Sequence, residues 1–348
     1  MNRISVKASG SYDILIGAGA IHKITEGLQD LPGVKKICIV SDSHVFPLWG
    51  KALTDLLADY SLCSFVFPAG EESKSGTTYL ELLQFLAENQ LTRSDCLIAL
   101  GGGVVGDLTG FAAATYLRGI AFIQIPTSLL AMVDSSVGGK TAIDLPAGKN
   151  LAGAFYQPKL VLCDLEVLST LPEEIFLDGC AEVIKYAILY DPQLFAHLKA
   201  LGPDFDREKV ITRCVELKRD VVEQDEFDLG LRMKLNLGHT VGHGVEAASG
   251  FQISHGKGVA IGTAIIARSA LSQGLCSRET ADEILYVLRK FHLPVETDFS
   301  ADTLYTYALS DKKRAGTTVR LIVPRDIGRC DILPTKIQEL TSLIKAGL

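Results

Sequence analysis

Short apolar runs alternate with amphipathic stretches through the first 165 residues, and this alternation restricts the possible folds more than any other feature. The runs KKICIVSD, LCSFVFP, DCLIALGGG, AFIQIP and KLVLCD are leucine-rich or β-branched and are closed by Gly, Pro or Asp. Such runs are typical of buried strands, and helical patterns such as Thr77–Asn89 lie between several of them. The segment is therefore predicted to form a wound, mostly parallel sheet that binds ligands at the carboxyl ends of its strands.

Helical patterns dominate after about residue 165. They cover Leu171–Tyr190, Asp206–Glu226, His239–Ala248, His255–Gln273 and Glu279–Lys290, whereas only TTVRLIVP and RCDIL resemble strands. We therefore predict an α/β fold with two domains, a sheet domain over residues 1–165 and a mainly α-helical domain over residues 166–348.

Composition excludes several classes of protein. The net charge of −7 argues against nucleic acid as a partner. No apolar run approaches the length of a membrane span, and the segment MNRISVKASGSYDILIGAG lacks the apolar region of a signal peptide, so we expect no membrane association and a cytoplasmic location. The eight cysteines are scattered singly, mostly in apolar surroundings, and are predicted to be reduced core residues.

Two turns that follow predicted strands could bind a nucleotide. The glycines of GGGVVGD, Gly101–Asp107, let the backbone approach a phosphate, and the next stretch supplies a helix N-terminus. In PAGEESKS, Glu71 could bind a ribose hydroxyl and Lys74 a pyrophosphate, while Asp42 at the end of KKICIVSD has the position of a ribose ligand. The first turn lacks the G-x-G-x-x-G pattern of dinucleotide-binding proteins, so it could instead be a turn needed only for packing. The second could instead be a charged turn exposed to solvent.

A histidine cluster predicts a metal site. His239 and His243 are four residues apart and share one face of a helix, and His255 follows at the start of another apolar helix. Since a catalytic metal often takes a carboxylate as third ligand, the candidate is Glu182, an acidic residue in an apolar stretch with Lys185 three residues on. The alternatives are histidines with structural roles and a surface ion pair between Glu182 and Lys185.

Several cationic side chains lie next to glycine or other small residues. In a chain with a net negative charge, cations in such turns indicate an anionic ligand. Each alone could be a solvated side chain, but together they predict a substrate with a phosphate or a carboxylate. They are Arg118, Lys140, Lys149, Lys218, Arg232 and those of the segment Asp311–Lys313.

Taken together, these segments resemble the 3-dehydroquinate synthases, the sugar-phosphate cyclases of the shikimate pathway. The resemblance is carried by LGGGVVGDLTGFAAATYLRG, IPTSLLAMVDSSVGGKTAID, GKNLAGAF, GCAEVIKYAI, LNLGHTVGHGVEA, SHGKGVA and DKKRAG with RLIVPRDIG. It implies a Rossmann-like NAD-binding domain followed by a metal- and substrate-binding helical domain, with NAD and Zn²⁺ or Co²⁺ as cofactors.

The resemblance also implies roles for individual residues. It assigns the metal to Glu182, His239 and His255. It assigns NAD to Asp42, Glu71, Lys74, Gly102, Gly103, Asp107, Thr127 and Ser128, with Lys140 and Lys149 as further candidates. It assigns the substrate, a small anionic sugar-acid phosphate, to Asp134, Lys140, Asn150, Lys185, Lys218, Arg232, Asn236, His243 and the lysines Lys312 and Lys313. Arg118 matches a residue that reaches the partner's phosphate site, so a homodimer is expected.

The implied reaction is a lyase reaction in which NAD oxidises a ring alcohol, phosphate is eliminated, the ketone is reduced again, and an aldol step closes the carbocycle. A related cyclase such as 2-deoxy-scyllo-inosose synthase, an iron-type polyol dehydrogenase and a non-catalytic NAD-binding regulator remain alternatives. His44, Glu174 and Ile175 depart from the family's pattern in the region that it assigns to the cofactor.

Overall fold

A computed structural model describes residues 1–310 and 317–348. The strands are β1 Asn2–Val6, β2 Tyr12–Gly17, β3 Lys36–Asp42, β4 Ser61–Phe67, β5 Cys96–Gly101, β6 Ala121–Pro126, β7 Lys140–Leu145, β8 Gly148–Phe155, β9 Leu160–Asp164, β10 Thr318–Asp326 and β11 Arg329–Lys336. The α-helices are α1 Ile24–Gln29, α2 Lys51–Leu56, α3 Gly76–Glu88, α4 Gly103–Thr115, α5 Glu173–Tyr190, α6 Pro192–Leu201, α7 Arg207–Gln224, α8 His239–Ala248, α9 His255–Ser272, α10 Arg278–Lys290, α11 Ala301–Ser310 and α12 Ile337–Gly347. Short 3₁₀ or π turns lie at Ala20–Lys23, Phe46–Gly50, Glu71–Ser73, Tyr116–Arg118, Ala131–Ser135, Leu165–Thr170, Gly202–Asp204 and Leu231–Asn236.

The first of two compact units, Met1–Pro172 with Arg207–Phe227, contains a sheet in the order β1-β2-β9-β6-β5-β3-β4. Every pairing in it is parallel except that of β1 with β2. Alternate residues of a strand point to opposite faces, so Ile37 and Ile39 join one apolar cluster, whereas Cys38 and Val40 join the other. Because both faces are buried, the strands are continuous apolar runs, and the predicted wound sheet is confirmed.

The strand order reverses between β3 and β5. The chain runs from β3 outward to β4, then returns to the other side of β3 with β5 and continues through β6 to β9. In wound sheets the crevice at such a switch point, beyond the carboxyl ends of the strands, is where ligands bind. Here the two strands that flank the switch point end at Asp42 and Gly101.

The second unit, Glu173–Asp206 with Asp228–Leu348, is mainly helical and contains the antiparallel hairpin of β10 and β11. The helical patterns predicted after residue 165 correspond to α5, α7, α8, α9 and α10. Helices α6, α11 and α12 and the hairpin of β7 and β8 were not predicted from the sequence.

The chain divides differently from the single boundary predicted near residue 165, because α7 belongs to the sheet unit. Its polar face is tied to the start of the chain: Glu208 accepts a hydrogen bond from the Asn2 side chain at 2.9 Å, and Glu223 accepts one from the backbone of Lys7 at 2.7 Å. These contacts connect residues more than 200 positions apart, which local patterns do not reveal.

Within the described ranges, no helix combines the length and apolar character needed to cross a bilayer. None of the eight cysteines, all of which lie in the described residues, forms a disulfide, and all except Cys63 are buried.

Candidate metal centre and cofactor-binding residues

Three helices of the second unit bring together the predicted metal ligands. Glu182 on α5 places Oε1 3.4 Å from Nε2 of His239 on α8 and 3.3 Å from Nε2 of His255 on α9. Ligand atoms about 2.1 Å from a tetrahedral Zn²⁺ lie about 3.4 Å from one another, so these separations suit such an ion. The donor set, two imidazoles and one carboxylate that is 1 % exposed, is also one that open catalytic metal sites use.

The second nitrogen of each imidazole is already engaged. Nδ1 of His239 lies 2.9 Å from the carbonyl oxygen of Leu237, which can only accept, so Nδ1 carries the proton and Nε2 keeps its lone pair. Nδ1 of His255 lies 3.1 Å from Oε1 of the buried carboxylate of Glu246. Outer hydrogen bonds of this kind set the tautomer and the ring orientation of metal-binding histidines.

The two histidines have opposite pKa shifts. Burial, with help from the nearby Lys185 and His255, holds the pKa of His239 well below its usual value and keeps the ring neutral, as a metal ligand requires. Burial opposes the charge of His255 too, but hydrogen bonds to Glu182 and Glu246 raise its pKa to about 10. Without a metal, a protonated His255 therefore supplies positive charge between two carboxylates, and a metal ion would displace that proton.

Glycines explain how α8 and α9 approach closely enough for their histidines to meet. A Cβ atom on Gly262 would lie 2.1 Å from the carbonyl oxygen of Gly238, and one on Gly242 would lie 2.8 Å from that of Gly258. These are backbone contacts that cannot move aside as a side chain can. Gly242, next to His243 in the sequence, and Gly262 are thus required by the helix contact that holds the cluster together.

We expect Gly262→Ala to lower the free energy of unfolding by about 1–3 kcal/mol, because the added methyl group forces α8 and α9 apart. Urea unfolding of the two proteins measures the difference. Gly76→Ala is the matched control, since a Cβ on Gly76 meets nothing within 4 Å and the substitution should not destabilise. Equal stability of Gly262→Ala and the wild type would contradict the steric argument.

The other predicted residues of this unit that the structure describes lie on the same helices or on the turn before α8. Lys185 and Glu182 form an ion pair that is buried, with both side chains at most 2 % exposed, and not the surface pair considered as the alternative. The His243 ring centroid lies 5.5 Å from that of His239 and 6.0 Å from that of His255. Arg232 is buried and Asn236 is half-buried on the turn Leu231–Asn236.

Glu246 was not among the predicted site residues, although it lies seven residues after His239 and three after His243, a spacing that places it on the same helical face. Glu246 belongs to a second possible set of metal ligands, because donor atoms of His243, Glu246 and His255 also lie within 4.8 Å of one another. The two sets share His255 and differ in which histidine of α8 they use.

In the first unit, the predicted cofactor residues follow the strands at the switch point. Gly102 is the N-cap of α4 and has no side chain to cap the helix, which suits a diphosphate. Ser128, after β6, lies beside it, because a Cβ on Gly102 would be 3.6 Å from the Ser128 hydroxyl oxygen. Asp42 accepts backbone hydrogen bonds from His44 at 2.8 Å and Val45 at 2.9 Å through one carboxylate oxygen. Thr127 is buried, and its amide donates to Gly101 at 3.0 Å.

Lys74 joins several predicted residues of this unit. Its ammonium group lies 2.6 Å from the carboxylate of Asp107 and 2.6 Å from the side-chain oxygen of Asn150. Burial favours the neutral amine, but Asp107 and Glu71 raise the pKa of Lys74 above its ordinary value, so it remains a cation. Lys149 lies 3.9 Å from the Glu71 carboxylate.

Lys218 and Asp134, both predicted substrate residues, form an ion pair that joins α7 to the turn Ala131–Ser135. Lys140 is exposed at the start of β7, and Arg118 is exposed at the end of the turn before β6. The predicted Lys312 and Lys313 lie outside the described residues.

Comparison with known proteins places this arrangement in a family. The family models described as 3-dehydroquinate synthase N-terminal and 3-dehydroquinate synthase C-terminal match residues 64–178 and 179–314. A 3-dehydroquinate synthase of Enterococcus faecalis strain ATCC 47077 / OG1RF is 45 % identical over 96 % of this chain and 96 % of its own length.

Two solved structures share the fold over the whole chain. The 2-epi-5-epi-valiolone synthase of Streptomyces hygroscopicus subsp. jinggangensis 5008, with NAD⁺ and Zn²⁺ bound, is 28 % identical with a TM-score of 0.88 and covers 99 % of this chain and 98 % of that one. A 2-deoxy-scyllo-inosose synthase complexed with carbaglucose-6-phosphate, NAD⁺ and Co²⁺ has a TM-score of 0.89 at 23 % identity, with 100 % of both chains covered, and shows the fold alone. With the family models and the 45 % identical relative, the predicted resemblance is confirmed: this chain belongs to the 3-dehydroquinate synthase family.

Proposed function

We propose that this chain converts 3-deoxy-D-arabino-heptulosonate 7-phosphate into 3-dehydroquinate and inorganic phosphate, as an NAD- and divalent-metal-dependent lyase. The observation that carries the proposal is the convergence of Glu182, His239 and His255, in a chain of this family, on distances that suit a catalytic metal. The switch-point residues Asp42 and Gly102 support an NAD site in the first unit.

The cofactors supply chemistry that side chains lack: bound NAD accepts and returns a hydride, and a metal held by Glu182, His239 and His255 polarises a substrate hydroxyl group as a Lewis acid. A ketone formed there would acidify the neighbouring C–H bond, so that loss of this proton could expel phosphate from the next carbon, and return of the hydride would then reduce the ketone again. The chain's own task is to hold an anionic substrate in one orientation, which can lower the barrier by several kcal/mol.

Several side chains are suited to that task. Lys185 and Lys218 are buried cations whose carboxylate partners, Glu182 and Asp134, hold their ammonium groups in place. Arg232 is a buried guanidinium, whose planar fork matches a carboxylate or a phosphate. We assign these three residues, with Lys140, Asn150, Asn236 and His243, to substrate binding.

The proposal includes a homodimer, in which Arg118 serves the partner's substrate, and a cytoplasmic location. The alternative is a related cyclase whose substrate lacks the carboxylate, such as 2-deoxy-scyllo-inosose synthase. Arg232 and Asn236, four residues apart on one turn, favour the carboxylate-bearing substrate, because a guanidinium fork and a side-chain amide can both donate hydrogen bonds to a carboxylate.

Release of inorganic phosphate tests the proposal. The full chain with Zn²⁺, NAD and the seven-carbon acid phosphate should release one phosphate per substrate consumed, whereas a hexose 6-phosphate without a carboxylate should release little. Phosphate release from the hexose phosphate alone would favour the related cyclase. No release from either substrate by protein with bound metal would contradict both.

We expect NAD to be required but not consumed, because the proposed sequence returns the hydride to the substrate. With NAD far below the substrate concentration, all of the substrate should still be converted, and absorbance at the NADH band should not rise. NADH formed in proportion to substrate would instead identify a polyol dehydrogenase.

A further inference from the structure

Asp178, which the proposed function does not use, binds the start of the helix that carries His255. Its Oδ1 accepts hydrogen bonds from the Ser254 hydroxyl at 2.5 Å and the Lys257 amide at 3.0 Å, and its Oδ2 accepts one from the Gly256 amide at 3.1 Å. Asp178 lies on α5, 76 to 79 residues away in sequence, so these contacts arise from tertiary packing alone.

These contacts replace the usual cap of α9. Ser254 is the N-cap residue, yet its hydroxyl oxygen accepts no hydrogen bond from the first turn and donates to Asp178 instead. The first amides of a helix need an acceptor, and a carboxylate there also interacts favourably with the positive end of the helix dipole. A side chain of α5 thus supplies what the N-cap residue of α9 does not.

The same face of α5 carries the metal ligand Glu182 one turn further on, since residues four apart in a helix lie above one another. Glu182 Oε1 lies 3.3 Å from His255 Nε2, while Asp178 binds the backbone on the C-terminal side of His255 and the hydroxyl of the residue before it. The two backbones also touch: a Cβ on Gly256 would lie 1.9 Å from the Asp178 carbonyl oxygen.

We propose that Asp178 is a positioning residue for the metal site: it fixes the first turn of α9 on α5 so that the His255 imidazole meets the Glu182 carboxylate at ligand distance. The inference rests on the proposed function, because it presupposes a divalent ion at Glu182, His239 and His255. Partners outside the ligand shell commonly change metal affinity by about 10–100-fold when they are removed.

The test measures Zn²⁺ affinity by chelator competition and the visible spectrum of the Co²⁺-loaded full chain, which reports the geometry of the bound ion. Asp178→Ala should weaken Zn²⁺ binding by about 10–100-fold and alter the Co²⁺ spectrum at saturation. Asp178→Asn, which keeps one acceptor oxygen, should fall between this variant and the wild type, and it provides the comparison if the alanine variant folds poorly.

Glu174→Gln is the matched control, because the exposed Glu174 also makes a charged contact from α5 to the start of α9, with Lys257 at 2.5 Å, but does not reach the predicted ligands. It should leave affinity and spectrum unchanged. The proposal is overturned if folded Asp178 variants bind Co²⁺ with wild-type affinity and spectrum, even if their melting temperature falls. If wild-type protein binds no metal at all, both the metal site of the proposed function and this inference are wrong. If metal binding is the same with and without the Asp178 carboxylate, only this inference is wrong.

Discussion

The His239→Ala variant is expected to bind no stoichiometric Zn²⁺ and to lose turnover. His239 is buried and neutral, its Nδ1 proton is committed to the Leu237 carbonyl group, and its Nε2 lies 3.4 Å from Glu182 Oε1. Removing it leaves two ligands of a set that needs three. Metal content after gel filtration should fall from about one ion per chain to near zero, and phosphate release should fall to the level without enzyme.

His243→Ala is the matched comparison, since it removes the other imidazole of α8 one turn away. It should keep about one Zn²⁺ per chain and lose turnover, because we assign His243 to the substrate. The alternative ligand set of His243, Glu246 and His255 predicts the reverse pattern of metal content. Equal metal loss in both variants would refute the assignment of separate roles.

Two inactive variants, Arg118→Ala and His239→Ala, are expected to regain activity when their subunits exchange. Arg118 is exposed, it ends the turn Tyr116–Arg118 with a positive φ of 66°, and within residues 1–310 and 317–348 its guanidinium group has no hydrogen bond or ion pair. A guanidinium fork suits a phosphate, and an exposed one is available to the substrate of a neighbouring subunit.

In a mixed dimer, one site would combine the metal ligands of one chain with Arg118 of the other. Each such dimer should show about half the wild-type activity, and an equimolar exchanged mixture about a quarter, by the arithmetic of a two-fold dimer. Mixing His239→Ala with His243→Ala is the control, because both residues belong to one subunit's site and no complete site can form. Verified mixed dimers that stay as inactive as their parents would place Arg118 within its own subunit or outside the site.

Local patterns predicted much of the fold because they depend on residues close in sequence. Apolar runs predicted β3, β5, β6 and β9, since strands covered on both faces are apolar at most positions, and a similar run predicted β4 at the edge of the sheet. The four-residue spacing of His239 and His243 correctly placed both on one face of α8, because residues four apart in a helix share a face. The hairpin of β7 and β8 was missed, because its strands are largely polar, glycine-rich or half-exposed.

By itself, the sequence determined the family, the element types and the candidate ligands, because periodicity and motif order are written in neighbouring residues. Only the tertiary structure decided which groups meet. It joined Glu182 to His239 and His255, added Glu246 and Asp178 around His255, and packed α7 with the sheet. Within the second unit, the contact of Glu246 with His255 spans nine positions, whereas the contacts of Asp178 with the start of α9 span up to 79. They depend on how closely helices can approach. Gly242 and Gly262 set that distance for α8 and α9, because a Cβ on either would strike the opposing backbone.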